Sequence, residues 1–417
     1  MTRASGGDPA DDGVQDGVDL LEVALGRPVI LEDTEFRPIA YSRQPDDIDG
    51  ARLHVILHRG VEPEFLRMYQ ALGISSASGP VWTPAFPEWN AESRLCIPVR
   101  RGRTLLAYLW VLAPEGSLSE QQVAAAAGTA SFIATALDAQ RRQRRGAEQN
   151  NQMVLARILD SDYGQANLVA HLTTADNLPP DSRVVVAAFE CTGGPPDDQD
   201  VIDTALMIKE RLPLIRLPVR WMVHLGSRPG VLAVLGPSAQ VTENEVAHAV
   251  QKAVHSCFST SVAVGTGGGP VSLEEIKEAY DRACVAAWVA RVTTRGSDGT
   301  LSWSDIGSWR LLARLAGRSV GGSDLTADLH PGLLRLLSQD RGELVATLDA
   351  YLTTGGDVRT TADLLHLHRS TLYYRVDRIS EITGANLRDG EARFELTLGL
   401  RVAALLGLLP STTPQAD

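Results

Sequence analysis

Between residues 369 and 378 the chain sets three fork-shaped cations, two hydroxyls and two phenols within a few turns of one another. The residues are Arg369, Ser370, Thr371, Tyr373, Tyr374, Arg375 and Arg378. Guanidinium groups can bind phosphate or make paired bonds to a guanine edge, and hydroxyls can bond either phosphate or base. These groups act together only if they share one face of a helix. At about 100° per residue, Leu372, Val376, Ile379 and Thr383 form an apolar stripe with Ile382 at its edge. Ser370, Tyr373, Tyr374, Asp377, Arg378 and Glu381 then point away from it. Asp377 and Glu381 would repel phosphates, so reading of base edges is expected from the first two turns only. Arg375 lies beside the inner stripe, where packing or an intramolecular ion pair competes with phosphate contact.

Two short helices must hold this face. Gly355-Gly356 interrupts what precedes, and Asp357 is suited to cap a helix on which Val358, Ala362 and Leu365 share one side. His366-Leu367-His368 reads as a tight turn, in which His366 takes any left-handed conformation required. The second helix spans about Arg369 to Thr383 and is stopped by Gly384. This is the layout of a helix-turn-helix, whose second helix can lie in the major groove. The competing readings are a helical hairpin of a bundle and a module that binds another protein. The short first helix, brief turn and polar, aromatic and basic outer face together favour the DNA reading.

The run His368-Arg-Ser-Thr-Leu-Tyr-Tyr-Arg-Val-Asp-Arg-Ile-Ser-Glu-Ile-Thr-Gly384 resembles the C-terminal helix-turn-helix of the PucR/CdaR family of bacterial transcriptional regulators. Leu348, Tyr351 and Leu352 upstream, Gly355-Gly356-Asp357, and Leu387, Arg393 and Leu396 downstream also fit. Where Asp357 stands the family commonly has asparagine, and both cap helices. The resemblance implies double-stranded DNA as partner, a homo-oligomer (dimer or higher) and a small-molecule effector.

The chain has 417 residues, 44% hydrophobic and 22% charged, and a formal net charge of −12, which argues against a generally basic nucleic-acid coat. Even the stretch 343–409 holds seven arginines against nine acidic residues, so placement of individual arginines must supply the attraction. Four cysteines (Cys96, Cys191, Cys257, Cys284) include no Cys-x-x-Cys pair, so reduced thiols in a cytoplasmic protein are expected, with no zinc site. Residues 1–17 are Gly- and Asp-rich and are expected to be disordered. Gln121 to Leu137 lacks charge but is marginal in length for a membrane span; a buried helix is expected instead.

Residues 18–140 give two hairpins, Val29–Asp33 with Pro38–Ser42 and Arg94–Val99 with Thr104–Leu112, then a helix from Ser117. A helix is also expected from Asp49 to Leu72, broken between Gly60 and Pro63. The order resembles GAF/PAS-type sensory domains. Trp82, Phe86, Trp89 and Trp110 could line a pocket there or form plain core, and His54 and His58 have a metal-capable spacing without further ligands nearby. The basic run Arg141 to Arg145 opens a linker helix, 141–160; a solvated face is favoured over phosphate contact.

Residues 161–310 alternate strand and helix in an order that resembles a GGDEF-like domain of the CdaR kind. Val262-Ala-Val-Gly265 with Ser272 to Ala283 matches that domain's closing strand and helix. A working cyclase of this type needs carboxylates to hold magnesium against triphosphate. The corresponding hairpin, Gly226-Ser-Arg-Pro-Gly230, offers none, so the domain is expected to be degenerate and to serve dimerisation or relay. Gly265-Thr-Gly-Gly-Gly-Pro270 lacks the Gly-Lys-Ser/Thr ending of a phosphate loop and reads as a strand-to-helix turn. No nucleophile motif stands out.

The fold expected is therefore a multidomain α+β chain: a GAF/PAS-like α/β sensor, a degenerate GGDEF-like α/β domain, a linker over 311–342 and an all-α helix-turn-helix terminus over 343–409. The last helix repeats Phe394, Leu398, Val402 and Leu405 or Leu406. No catalytic, cofactor or metal residues are assigned, and no membrane contact. A nucleotide cyclase is the enzyme alternative.

Overall fold

A computed structural model describes residues 9–43, 50, 52, 63–87, 90–159, 181–191, 200–212, 219–226, 228–235, 241–294, 297–318, 325–339 and 342–409. Among them are twelve α-helices and two five-stranded sheets. The chain divides into two compact units, 1–147 and 148–417.

The first unit is built on an antiparallel sheet of order β2-β1-β5-β4-β3. Its strands are β1 (Val29–Glu32), β2 (Pro38–Tyr41), β3 (Val81–Thr83), β4 (Arg94–Arg101) and β5 (Thr104–Leu112). Both hairpins expected from the sequence form, and Gly102 takes the left-handed conformation between β4 and β5. Alternation along β5 sends Ala107, Leu109 and Val111 to one face and Tyr108 and Trp110 to the other. Helices α1 (Pro9–Leu25) and the start of α3 (Glu120–Leu159) cover the first face; α2 (Pro63–Ala71) lies on the second with Phe65 and Tyr69.

Two expectations fail here. Residues 1–17 are not all disordered, because α1 starts at Pro9; Val14, Val18, Leu21 and Leu25 recur at helical spacing and are buried against the sheet. Nor do the aromatic residues share one pocket. Trp82 packs on the α1 side, whereas Phe86 and Trp110 pack on the opposite side, since Trp82 pairs with Leu95 and Trp110 with its neighbour Cys96. Trp89, His54 and His58 lie outside the described residues. The Gln121–Leu137 stretch is helical, but only one side is buried, through Ala126, Ala130, Ile133 and Ala134, and Phe132 is exposed. No described helix is long and apolar enough to cross a membrane.

Helix α3 is continuous through the basic run. Arg141, Arg142 and Arg144 are exposed, and Arg142 pairs with Asp138 at 2.9 Å. From Glu148 onward the helix belongs to the second unit. There Gln152 donates from Nε2 to the Val223 carbonyl at 2.6 Å and accepts from the Leu225 N–H at 3.1 Å.

The second unit has the sheet order β10-β9-β6-β8-β7. Its strands are β6 (Arg183–Cys191), β7 (Val219–His224), β8 (Gly230–Leu235), β9 (Val262–Thr266) and β10 (Gly299–Ser302), and only β9–β10 is a parallel pair. Helices α4 (Val201–Arg211) and α5 (Glu243–Phe258) cover the face that holds Val185, Ala187 and Phe189. The end of α3 and α6 (Ile276–Thr293) cover the face of Val184, Val186 and Ala188. Gly265 permits the close approach of β9 to α6: a Cβ there would lie 2.0 Å from the Ala287 nitrogen. The Gly265–Pro270 segment is the strand-to-helix turn expected, leading into a 3-10 turn at Leu273–Glu275 and then α6.

The span 311–342 is not a plain linker. It contains most of α7 (Trp309–Arg318) and all of α8 (Pro331–Gln339). Leu312, Ala313 and Ala316 of α7 are buried with Ala286 and Val289 of α6. Helix α8 opens on Pro331, a good first helical residue, and buries Leu333 and Leu336. These are short apolar runs that become helical because partners on both sides need their faces covered.

Candidate nucleic-acid interface

The terminal bundle comprises α8, α9 (Glu343–Thr353), α10 (Val358–Leu364), α11 (Arg369–Thr383) and α12 (Gly390–Leu405). Its core joins Leu333 and Leu336 with Val345, Leu348 and Tyr351 of α9, Ile379 of α11, Leu387, and Leu396 and Leu400 of α12. The bundle therefore begins at Pro331 and not at 343. Gly332 marks how tightly α8 seats, because a Cβ on it would meet the Thr383 carbonyl oxygen at 1.9 Å.

Each end of the helical pair is chemically specified. Gly355 and Gly356 both adopt positive φ after α9. The Asp357 carboxylate then accepts from the Thr360 N–H at 2.6 Å, a bond that holds its pKa below the usual value. Thr361 is fully buried; its hydroxyl donates to the Asp357 carbonyl and meets the Thr354 hydroxyl, both at 2.6 Å. Ala362 is buried beside it, with Val358 and Leu365 half-buried. His366 turns the chain at φ 52°, and the Leu367 N–H returns to the Ala362 carbonyl at 2.9 Å. His368 then caps α11: its Nδ1 accepts from the Ser370 N–H at 3.3 Å and contacts the Ser370 hydroxyl at 2.7 Å. At the far end Gly384 is left-handed, and Arg335 of α8 donates to the carbonyls of Ile382 and Thr383, each at 3.3 Å.

Helix α11 thus has the boundaries read from the sequence. Leu372 and Ile379 are fully buried and Thr383 nearly so, with Val376 and Ile382 half-buried. Arg369, Ser370, Thr371, Tyr373, Tyr374 and Arg378 are all exposed. The two phenols are 53% and 71% exposed, far above what a hairpin hidden in a bundle would leave. Arg378 pairs with Glu381 at 2.8 Å, which partly neutralises the third turn. Arg375 turns the other way: Nη2 meets Glu343 at 3.1 Å and Nη1 meets the Thr347 hydroxyl at 3.3 Å, tying α11 to α9.

Sequence reasoning misses two participants. His368 reads in the sequence as part of the turn, although its place just before a run of free helical N–H groups signals a cap. Arg335 had no signal, because its partners lie 47 and 48 residues away. The stripe expected on α12 holds only at its C-terminal end, where Leu405 is buried and Val402 half-buried. Leu396, Gly399, Leu400 and Ala403 face inward, while Phe394 and Leu398 are 63% and 40% exposed. Two apolar stripes run along that helix, and only its neighbours α7 and α8 decide between them.

A short helix, a left-handed turn and a second helix with a polar, basic and aromatic outer face define a helix-turn-helix DNA-binding domain. Residues 344–402 are a PucR C-terminal helix-turn-helix domain. Two of the curated relatives match well beyond that segment. The DNA-binding transcriptional activator AdeR of Bacillus subtilis is 20% identical over 405 residues, 94% of this chain and 93% of its own length. The proline-responsive transcriptional activator PutR of the same organism is 20% identical over 92% of this chain and 94% of its own. The purine catabolism regulatory protein of B. subtilis is 37% identical over 68 residues, 16% of this chain and 13% of its own length. The relatives are thus transcriptional regulators of the PucR family.

Proposed function

We propose that the chain is a sequence-specific DNA-binding transcriptional regulator of the PucR/CdaR type, acting in the cytoplasm under a small-molecule or metabolic signal. The observation that carries this reading is the division of α11: Leu372 and Ile379 are sealed inside while Arg369, Thr371, Tyr373 and Tyr374 project from the first two turns. In this reading Arg369 contacts a guanine edge or phosphate, Thr371 and the phenols contact the backbone or base edges, and Ser370 completes the cap with His368. Arg378 reaches phosphate once it leaves Glu381, and Arg375 positions the helix.

The first unit serves as a GAF/PAS-like sensor and residues 161–310 as a degenerate GGDEF-like relay. The hairpin between β7 and β8 supports the second assignment, since it carries Arg228 where a cyclase would need carboxylates. A bundle with more acids than arginines gains affinity by pairing. A homodimer engaging two half-sites about one helical turn apart would supply it. Footprinting on the DNA upstream of the chain's own coding region is expected to reveal two protected half-sites with that spacing. No protection at low salt, with retention of a protein partner instead, would favour an interaction module.

A further inference from the structure

The second unit contains a cleft of about 610 Å³ between α6, α7 and the hairpin that precedes β8. Two indoles, Trp288 and Trp303, line it together with the guanidinium groups of Arg228, Arg282, Arg291 and Arg314. Three of these cations each meet one carboxylate of the lining: Arg228 with Asp281 at 3.1 Å, Arg282 with Glu278, and Arg291 with Glu190. Arg314 is the surplus charge. Its guanidinium carbon lies 5.7 Å from the centre of the Trp303 ring, and among the described residues no carboxylate pairs with it. Arg282 keeps a buried Nε–H with no acceptor among the described residues. The cleft therefore offers aromatic surface, a net positive charge and carboxylates able to accept from ring amino groups. Its volume falls within the ~300–1,000 Å³ of small-molecule sites.

We propose that this cleft binds a planar heterocyclic anion of nucleoside-monophosphate size, with the ring against Trp288 and Trp303 and the phosphate on Arg282 and Arg314. The position gives such a ligand leverage. Ala313 and Arg314 of α7 face the cleft, and Leu312 and Ala316 of the same helix pack with Leu405 of α12. Arg401 of α12 also lies over the Trp309 ring at 5.4 Å. A ligand seated here bears on the helix that holds the DNA-binding bundle. The assignment rests on the chemistry of the cleft, and direct binding reads it without DNA.

The test is calorimetric titration of the full chain with GMP and AMP, and with guanosine, adenosine and inorganic phosphate as separate arms. At least one nucleotide is expected to bind saturably at about 0.1 mM or tighter. Its nucleoside and phosphate alone should bind at least about tenfold more weakly, as should the nucleotide to Arg282→Gln or Arg314→Gln. Arg314 is exposed, so Arg314→Gln should melt like the parent and keeps the test valid if Arg282→Gln is unstable. No heat from either nucleotide up to about 1 mM would overturn the proposal. So would phosphate binding as tightly as the nucleotide, or equal binding by Arg314→Gln.

Discussion

Arg369 and Arg375 lie on the same helix, yet their surroundings give them different work. Arg369 is exposed at the first turn, whereas the Arg375 side chain is only 22% exposed and reaches Glu343 and Thr347. Arg375→Ala should therefore cost about 1 kcal/mol of stability and weaken binding to all duplexes alike. Chemical denaturation beside gel shifts on specific and scrambled DNA checks both parts; lost selectivity at unchanged stability would reverse the assignment. A second residue-scale effect lies in the first unit. Burial pushes the Glu32 carboxyl up to about 8, against the pull of Arg94 and Arg52. The folded state then holds a proton that the unfolded chain releases above its ordinary value of 4.5. Stability from this group is full below 4.5 and falls as pH rises through about 8. Glu32→Gln should match the parent's denaturation midpoint at pH 4 and exceed it at pH 8. Parallel curves for the two proteins across that range would show that Glu32 is ionised throughout.

At the scale of elements, the orientation of α11 depends on its buried stripe and on the seat that α8 makes for it. Leu372 is fully buried, so Leu372→Asp places an unpaired carboxylate in the bundle and should cost upwards of about 4 kcal/mol. The expected result is loss of the bundle's cooperative melting; an unchanged melt would mean that the stripe faces water. Gly332→Ala is a gentler probe. Its methyl would meet the Thr383 carbonyl at 1.9 Å, so α8 must shift away from the end of α11, at a cost of about 2 kcal/mol. Thermal denaturation should register that loss, and full stability would show that α8 does not press on α11. The same two helices separate what could be read in advance from what could not. Helix α11 was legible because period, start and stop agree: Leu372 to Thr383 repeats at helical spacing and Gly384 ends it. His366 was legible as a left-handed turn because no glycine was available. Helix α8 was not, because nine residues with a few leucines carry no signal until α11 and α12 are there to cover.

For the whole molecule, the strands of both sheets were legible from alternation and turn chemistry, apart from the three-residue β3 and the four-residue β10. What alternation could not supply was register. Trp82 and Trp110 fall on opposite faces only because β3 is set against β4 with Trp82 opposite Leu95. Likewise the start of α1 was hidden by an acidic, glycine-rich composition, although Val14 and Val18 already carried the period that buries it. The bundle is fastened to the sheet domain of the second unit by α12, through Leu405 and Arg401. A change in that domain thus has a physical route to the bundle. Sequence-selective binding depends on which surface α11 offers to DNA. The direct measurement is the ratio of affinities for the footprinted site and a scrambled duplex, at one fixed salt concentration, for the parent and Arg369→Ala. The account predicts that this substitution lowers the ratio by about tenfold or more, the worth of one paired base contact, with melting unchanged. An undiminished ratio in a fully folded Arg369→Ala protein would contradict it.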